Sequence, residues 1–133
     1  MADTSSVRIG SATPVFLVGD IAETMKWYTA NLGFDARAVP DAPPHFFCIL
    51  TRDDVGIFLQ QLDGYEKPDL YDEREGGVWN AYLEMKGVRA LYDTLSQIPD
   101  VTIVEPLTHQ PYGQTEFVVR DPNGYTLVFA EPD

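Results

Sequence analysis

Apolar and polar positions alternate through residues 10–18, where Ala12, Pro14, Phe16 and Val18 interleave with Thr13, Val15 and Leu17. That two-residue period predicts a strand. Asp20 follows as a helix cap. Ile21, Met25, Tyr28 and Leu32 then recur at helical spacing, so residues 21–31 are expected to form an amphipathic helix that stops near Gly33. Short strands are predicted at 34–39, 46–50 and 55–61, with a loop at 40–44 and a turn at Arg52-Asp53-Asp54. Residues 63–77 read as a polar connector. The order then repeats: a strand at 79–85, a helix at 88–97, a short strand at 101–105, and strands at 114–120 and 125–131. The last two flank Asp121-Pro122-Asn123-Gly124, where proline presets φ and glycine supplies a positive one, the signature of a hairpin.

The chain therefore reads as βαβββ twice, an α+β fold of two modules: residues 10–62, an acidic connector at 63–77, and residues 78–131. Helices should cover one face of a curved mixed sheet, leaving the other face to curve around a cleft.

Composition narrows the functions available. The 133 residues hold 21 Asp and Glu against nine Lys and Arg, a formal charge of −12, which argues against nucleic acid or an anionic membrane as partner. Asp63, Glu66, Asp69, Asp72, Glu73 and Glu75 concentrate part of it in the connector, relieved by Lys67 and Arg74. Such a run either keeps a surface loop soluble or draws in a cationic small molecule. No apolar run approaches the roughly 20 residues that span a bilayer. The first residues lack the pattern of a signal peptide. One cysteine, Cys48, permits no internal disulfide, and a cytoplasmic location is the expectation.

Two sets of motifs carry a family resemblance. The first is Val18-Gly19-Asp20-Ile21 with Trp27-Tyr28-Thr29-Ala30-Asn31-Leu32-Gly33-Phe34. The second is Gly77-Val78-Trp79-Asn80-Ala81-Tyr82 with Tyr112-Gly113 and Asp121-Pro122-Asn123-Gly124. In this order and spacing they resemble the vicinal-oxygen-chelate superfamily, the glyoxalase, bleomycin-resistance and extradiol-dioxygenase group. Metal-dependent members place a His or Gln, a Glu, a His and a Glu on four cleft-facing strand positions. The resemblance puts Thr13, Phe58, Asn80 and Val128 there, with Gln60 replacing Phe58 after a shift of two residues. Phe and Val cannot ligate, Thr is a poor ligand, and a lone Asn amide does not hold a transition metal. No metal and no cofactor is expected.

Other chemistry is sparse. His45 and His109 fall outside the motif positions, in the segment before the second strand and in the loop before Tyr112. Cys48 lies within an apolar strand, where a buried, inert thiol is expected. Glu84 and Glu116 lie on strands, either exposed or, if turned into the cleft, available as a base. Alternation places Val15 and Leu17 with Thr13, Gly56 and Gln60 with Phe58, and Tyr82 and Glu84 with Asn80. Trp79 fits core or pocket equally, and Tyr112 sits at the mouth. Catalytic residues remain unknown. Thr13, Phe58, Gln60, Trp79, Asn80, Tyr82, Glu84 and Tyr112 would suit a small organic ligand. By resemblance, the chain is expected to be a metal-free, bleomycin-resistance-like homodimer that sequesters an aromatic, cationic compound. The alternative is a glyoxalase-like isomerase or lyase using a cleft carboxylate.

Overall fold

The hydrophobic periods translate into eight strands and two helices, seen in a computed structural model that describes residues 2–133. The first module comprises β1 (Val15–Val18), α1 (Ile21–Leu32), β2 (Asp35–Val39), β3 (Phe47–Arg52) and β4 (Val55–Gln61). The second comprises β5 (Ala81–Glu84), α2 (Val88–Leu95), β6 (Thr102–Gln110), β7 (Gln114–Arg120) and β8 (Thr126–Pro132). Each module is one four-stranded mixed sheet, in the order β1-β4-β3-β2 (sheet A) and β5-β8-β7-β6 (sheet B). Among the described residues, only β1–β4 and β5–β8 pair in parallel. The predicted α+β class and the twofold βαβββ order are both present.

Local chemistry sets the element ends. Asp20 caps α1, its Oδ1 accepting from the Glu23 amide at 3.1 Å, and Gly33 ends the helix at φ 69°. The first strand begins at Val15 rather than residue 10: Pro14 has no N–H to give the ladder, although its carbonyl still accepts from Phe58. Strand β6 runs on to Gln110, well beyond the predicted residue 105, and two register shifts interrupt its pairing with β7. Pro106 is tolerated there because β6 is an edge strand with bulges. His109 consequently lies on a strand, not in the loop expected for it.

A shared core joins the modules. Phe16, Val18, Leu50, Ile57 and Leu59 of sheet A and Leu83, Phe117, Val119, Leu127 and Phe129 of sheet B enter one hydrophobic cluster with Trp27, Tyr28, Leu32, Val88 and Leu95 of the helices. The residues alternating with them occupy the opposite, open face of each sheet.

The 121–125 turn clamps the first module. The buried Asp121 carboxylate accepts from the amides of Asn123 (2.8 Å) and Tyr125 (2.9 Å) and from the Tyr28 hydroxyl (2.7 Å). Tyr125 stacks on Phe16 with centroids 4.2 Å apart and donates to the Leu17 carbonyl, while Asn123 donates to Thr24. Trp27 Nε1 donates to the Asp100 carbonyl at 2.9 Å, which makes it a core residue, as its place in the helix implied. Burial pushes the Asp121 carboxyl above its usual range, against the downward pull of its donors. Removing one donor from a buried carboxylate leaves desolvation uncompensated. Tyr28→Phe should therefore lower the unfolding free energy by roughly 1–3 kcal/mol in urea denaturation, with no change in slope.

Candidate functional site

The open face of sheet B holds the strongest concentration of polar chemistry. Strand alternation buries Ala81 and Leu83 in the core and turns Tyr82 and Glu84 outward. The register sets Tyr82 beside Val128 and Val118, and Glu84 beside Ala130 and Glu116. Glu116 is only 2% exposed. Its Oε2 accepts from the Tyr82 hydroxyl at 2.7 Å, and its Oε1 accepts a short hydrogen bond from the Tyr112 hydroxyl. The two rings roof the carboxylate and remain open to solvent themselves, at 38% and 56% exposure. Desolvation first, then the hydrogen bond and charge of Glu116, pushes the Tyr112 hydroxyl up to about 12 and that of Tyr82 higher still.

Trp79 belongs to this face. It precedes the first residue of β5, so strand alternation does not bind it. Its ring, 41% exposed, lies 5.6 Å from that of Tyr82. Asn80 also precedes β5, and its Oδ1 accepts from the Thr126 amide at 2.9 Å, aligning β5 with β8. Val128 is buried beneath Tyr71, which reaches the sheet from a single 3₁₀ turn at Tyr71–Glu73. Tyr71 packs, with Val104, against the cluster of Val118, Val128 and Ala130, and a side chain at Gly77 would collide with its ring.

The remaining sequence-derived candidates lie on sheet A. Val15 pairs with Phe58 and Leu17 with Gln60, so these four share its open face, and Phe58 makes an edge contact with Phe47 at 5.2 Å. Thr13 lies on the approach to β1, next to Gly56. Thr13 and Phe58 thus belong to one sheet, and Asn80 and Val128 to the other.

Tyr71 escaped the sequence reading, and the facing of Glu116 was open in it. Glu116 was one of two strand carboxylates considered, with Glu84, until the register placed it beneath Tyr82 and Tyr112. Tyr71 sat in a connector with no periodicity to orient it, and its aromatic character amid acids was the one available signal. The histidines stay apart from the site: His45 Nδ1 contacts the Pro40 carbonyl, and His109 pairs with Asp133. Cys48 is buried and its thiol is pushed up by desolvation, as an inert core thiol should be. Among the described residues no three His, Cys, Asp or Glu side chains gather as a metal-holding group. A separate cavity of about 400 Å³ lies toward the core, lined by Leu32, Phe34, Leu83, Leu91 and Phe129. Arg52 at its rim is already committed to the Leu32 carbonyl at 2.6 Å.

Residues 8–129 match the profile of the Glyoxalase/Bleomycin resistance protein/Dioxygenase superfamily. The chain belongs to this superfamily. Its fold is shared with solved members. The bleomycin-binding protein from bleomycin-producing Streptomyces verticillus superposes with a TM-score of 0.69 at 20% identity, over 96% of this chain and 99% of that one. A bleomycin resistance determinant encoded on transposon Tn5 gives 0.69 at 18% identity, over 94% and 99%. A glyoxalase-related enzyme from Clostridium phytofermentans gives 0.71 at 16% identity, over 97% and 99%. At such identities the likeness establishes the superfamily fold, which hosts binding proteins and enzymes alike. No curated protein sequence matches the chain.

The tyrosine pair provides a titration test. A folded value raised above the ordinary 10.0 means that the Tyr112–Glu116 bond stabilises the protein fully below pH 10. That contribution is lost as pH climbs towards about 12. Glu116→Gln removes the carboxylate charge, so phenolate absorbance should show Tyr112 ionising at lower pH than in the parent. The stability difference between the two proteins should shrink above pH 10.

Proposed function

We propose that this superfamily member is a metal-free binding protein that sequesters an aromatic, cationic small molecule. The observation that carries this reading is the buried Glu116 carboxylate, with both oxygens taken by tyrosine hydroxyls beside the exposed Trp79 ring. Because each hydroxyl spends its proton on Glu116, the lone pairs left facing solvent can only accept. A ligand seated there must donate, and a cation donates best. Trp79 and Tyr82 supply faces for stacking and cation–π contact. Glu84, exposed on the same face, adds negative charge. Solved neighbours named as bleomycin-binding and bleomycin-resistance proteins support the binding class. The residue types at Thr13, Phe58, Asn80 and Val128 support the absence of metal.

A homodimer belongs to the same proposal. The two sheets share a core on their helix sides, so their open faces are not turned towards each other within one chain. A second copy would let the sheet A face, with Thr13, Phe58 and Gln60, close over Trp79, Asn80, Tyr82, Glu84 and Tyr112. The working division is residues 10–62 and 78–131 as modules, with 63–77 as connector. A cytoplasmic location rests on cysteine usage alone. No helix among the described residues is long and apolar enough to cross a membrane.

Two measurements test the function. Elemental analysis of the purified protein should find no stoichiometric Zn, Ni, Mn or Fe; one tightly held metal per chain would defeat the metal-free reading. Calorimetry with 4-(aminomethyl)biphenyl should show binding that weakens with salt, since exposed charges are screened within about 10 Å at 0.1 M. Tyr82→Ala should cost on the order of 1–3 kcal/mol of affinity at any salt. Preference for neutral or anionic aromatics at the Glu116 end would refute the cationic assignment.

A further inference from the structure

The open face of sheet B has a second charged end. Arg120 closes β7 on the face that carries Glu116, four residues further along the strand. At about 3.3 Å per residue the two side chains emerge roughly 13 Å apart. Val118 lies between them, with Val128 and Ala130 alongside as an apolar floor.

Arg120 is only partly satisfied. Its Nη2 lies 3.5 Å from Asp69 Oδ2, and its guanidinium stands 5.7 Å over the Tyr71 ring. Its Nε is buried and has no hydrogen-bond partner among the described residues. A guanidinium binds a carboxylate best through two parallel N–H donors, and here a buried donor of that fork is idle. The Asp69 that meets the other donor is exposed and sits on the connector.

That connector is built as a strap. It runs from Gly64 (φ 78°) to Gly76 and Gly77 (φ 83° and 85°), residues free to change φ at little steric cost. It meets the open face of sheet B through the Tyr71 ring and the Asp69–Arg120 pair.

We infer that Arg120 is a carboxylate-binding subsite at the far end of the open face of sheet B, held shut in the free protein by Asp69 and Tyr71 of the strap. A ligand carboxylate that enters takes Nε and Nη2 together, and Asp69 returns to solvent. One ion pair is exchanged for another, and the idle Nε–H gains an acceptor. The ligand class is then an elongated aromatic molecule with an ammonium at one end and a carboxylate at the other. This identity rests on the Glu116 reading, whereas the Arg120 subsite stands or falls separately.

Three probes separate the two ends in calorimetry: 4-(aminomethyl)biphenyl, biphenyl-4-carboxylate, and 4′-(aminomethyl)biphenyl-4-carboxylate. The doubly charged probe should bind the parent protein roughly tenfold more tightly than the amine alone, a step of about 1.4 kcal/mol. Arg120→Gln should erase that difference. Asp69→Asn removes the competing carboxylate, so it should strengthen both acidic probes several-fold and leave the amine unchanged. Asp69→Asn keeps Arg120 in place, so it decides the matter even if Arg120→Gln fails to fold. Equal binding of probes with and without the carboxylate, in the parent and in Asp69→Asn, overturns the subsite. Carboxylate binding that survives Arg120→Gln does the same. If the amine fails to bind while the acid binds through Arg120, the Glu116 reading falls and the subsite stands.

Discussion

The structure depends on one buried carboxylate. Asp121 accepts two amides of its own turn and the hydroxyl of Tyr28 from the other module, so a single side chain fixes the turn and its docking partner together. Tyr125 and Asn123 are positioned by that turn, and through Phe16, Leu17 and Thr24 they tie β1 and α1 to sheet B. Once the helix sides of both sheets are committed to a common core, the strand period leaves each sheet one open face. Everything on the candidate site follows from which residues fall on that face of sheet B. Tyr28 is fully buried, and its hydroxyl is held well above its ordinary range by burial and by the neighbouring Asp121 charge, so it remains a donor throughout the physiological range.

Three of the residues that the family resemblance singled out serve structural ends. Val128 forms part of the floor on which Tyr71 rests, and Asn80 aligns β5 with β8 through Thr126. Phe58 packs against Phe47. A single ligating residue introduced at one of them would therefore not build a metal site. A carboxylate at 128 would be buried under an aromatic ring, where desolvation raises its pKa and favours the neutral acid. Glu116 lies on the neighbouring strand, its carboxylate held by the Tyr82 and Tyr112 hydroxyls.

Much of the fold was legible because it rests on periods. The alternation at residues 55–61 and 114–120 matched the strands residue for residue, and the Asp20 and Gly33 signals bracketed α1. Alternation also placed Tyr82 and Glu84 on the face opposite Leu83. What was illegible depends on pairing between distant segments. Tyr82 and Glu116 are 34 residues apart, and only the β5–β8–β7 register makes them neighbours. Tyr71 lies where no period exists, so its contact with Val118 and Val128 is purely tertiary. Trp79 was undecidable for a related reason: it lies just outside the strand whose alternation was applied to it. The edge strand β6 was cut short because Pro106 reads as a breaker until bulges accommodate it.

Charge acts on the open face of sheet B at two ranges. The formal −12 creates a field that favours approach of cations and discourages anions, but beyond about a Debye length salt removes most of it. Close to the sheet, the pattern is set by individual groups instead: Glu116 under its tyrosines at one end, Arg120 against Asp69 at the other. A purely anionic molecule meets the unfavourable field before it can meet Arg120. On the proposed reading, a molecule that leads with an ammonium would be drawn in by the same field and aligned by the two ends once it arrives. On that reading long-range charge would set which ligands arrive, and the polarity along β7 which way round they lie. Such a division would let a strongly acidic protein keep an arginine on the open face of sheet B without that arginine defining what binds.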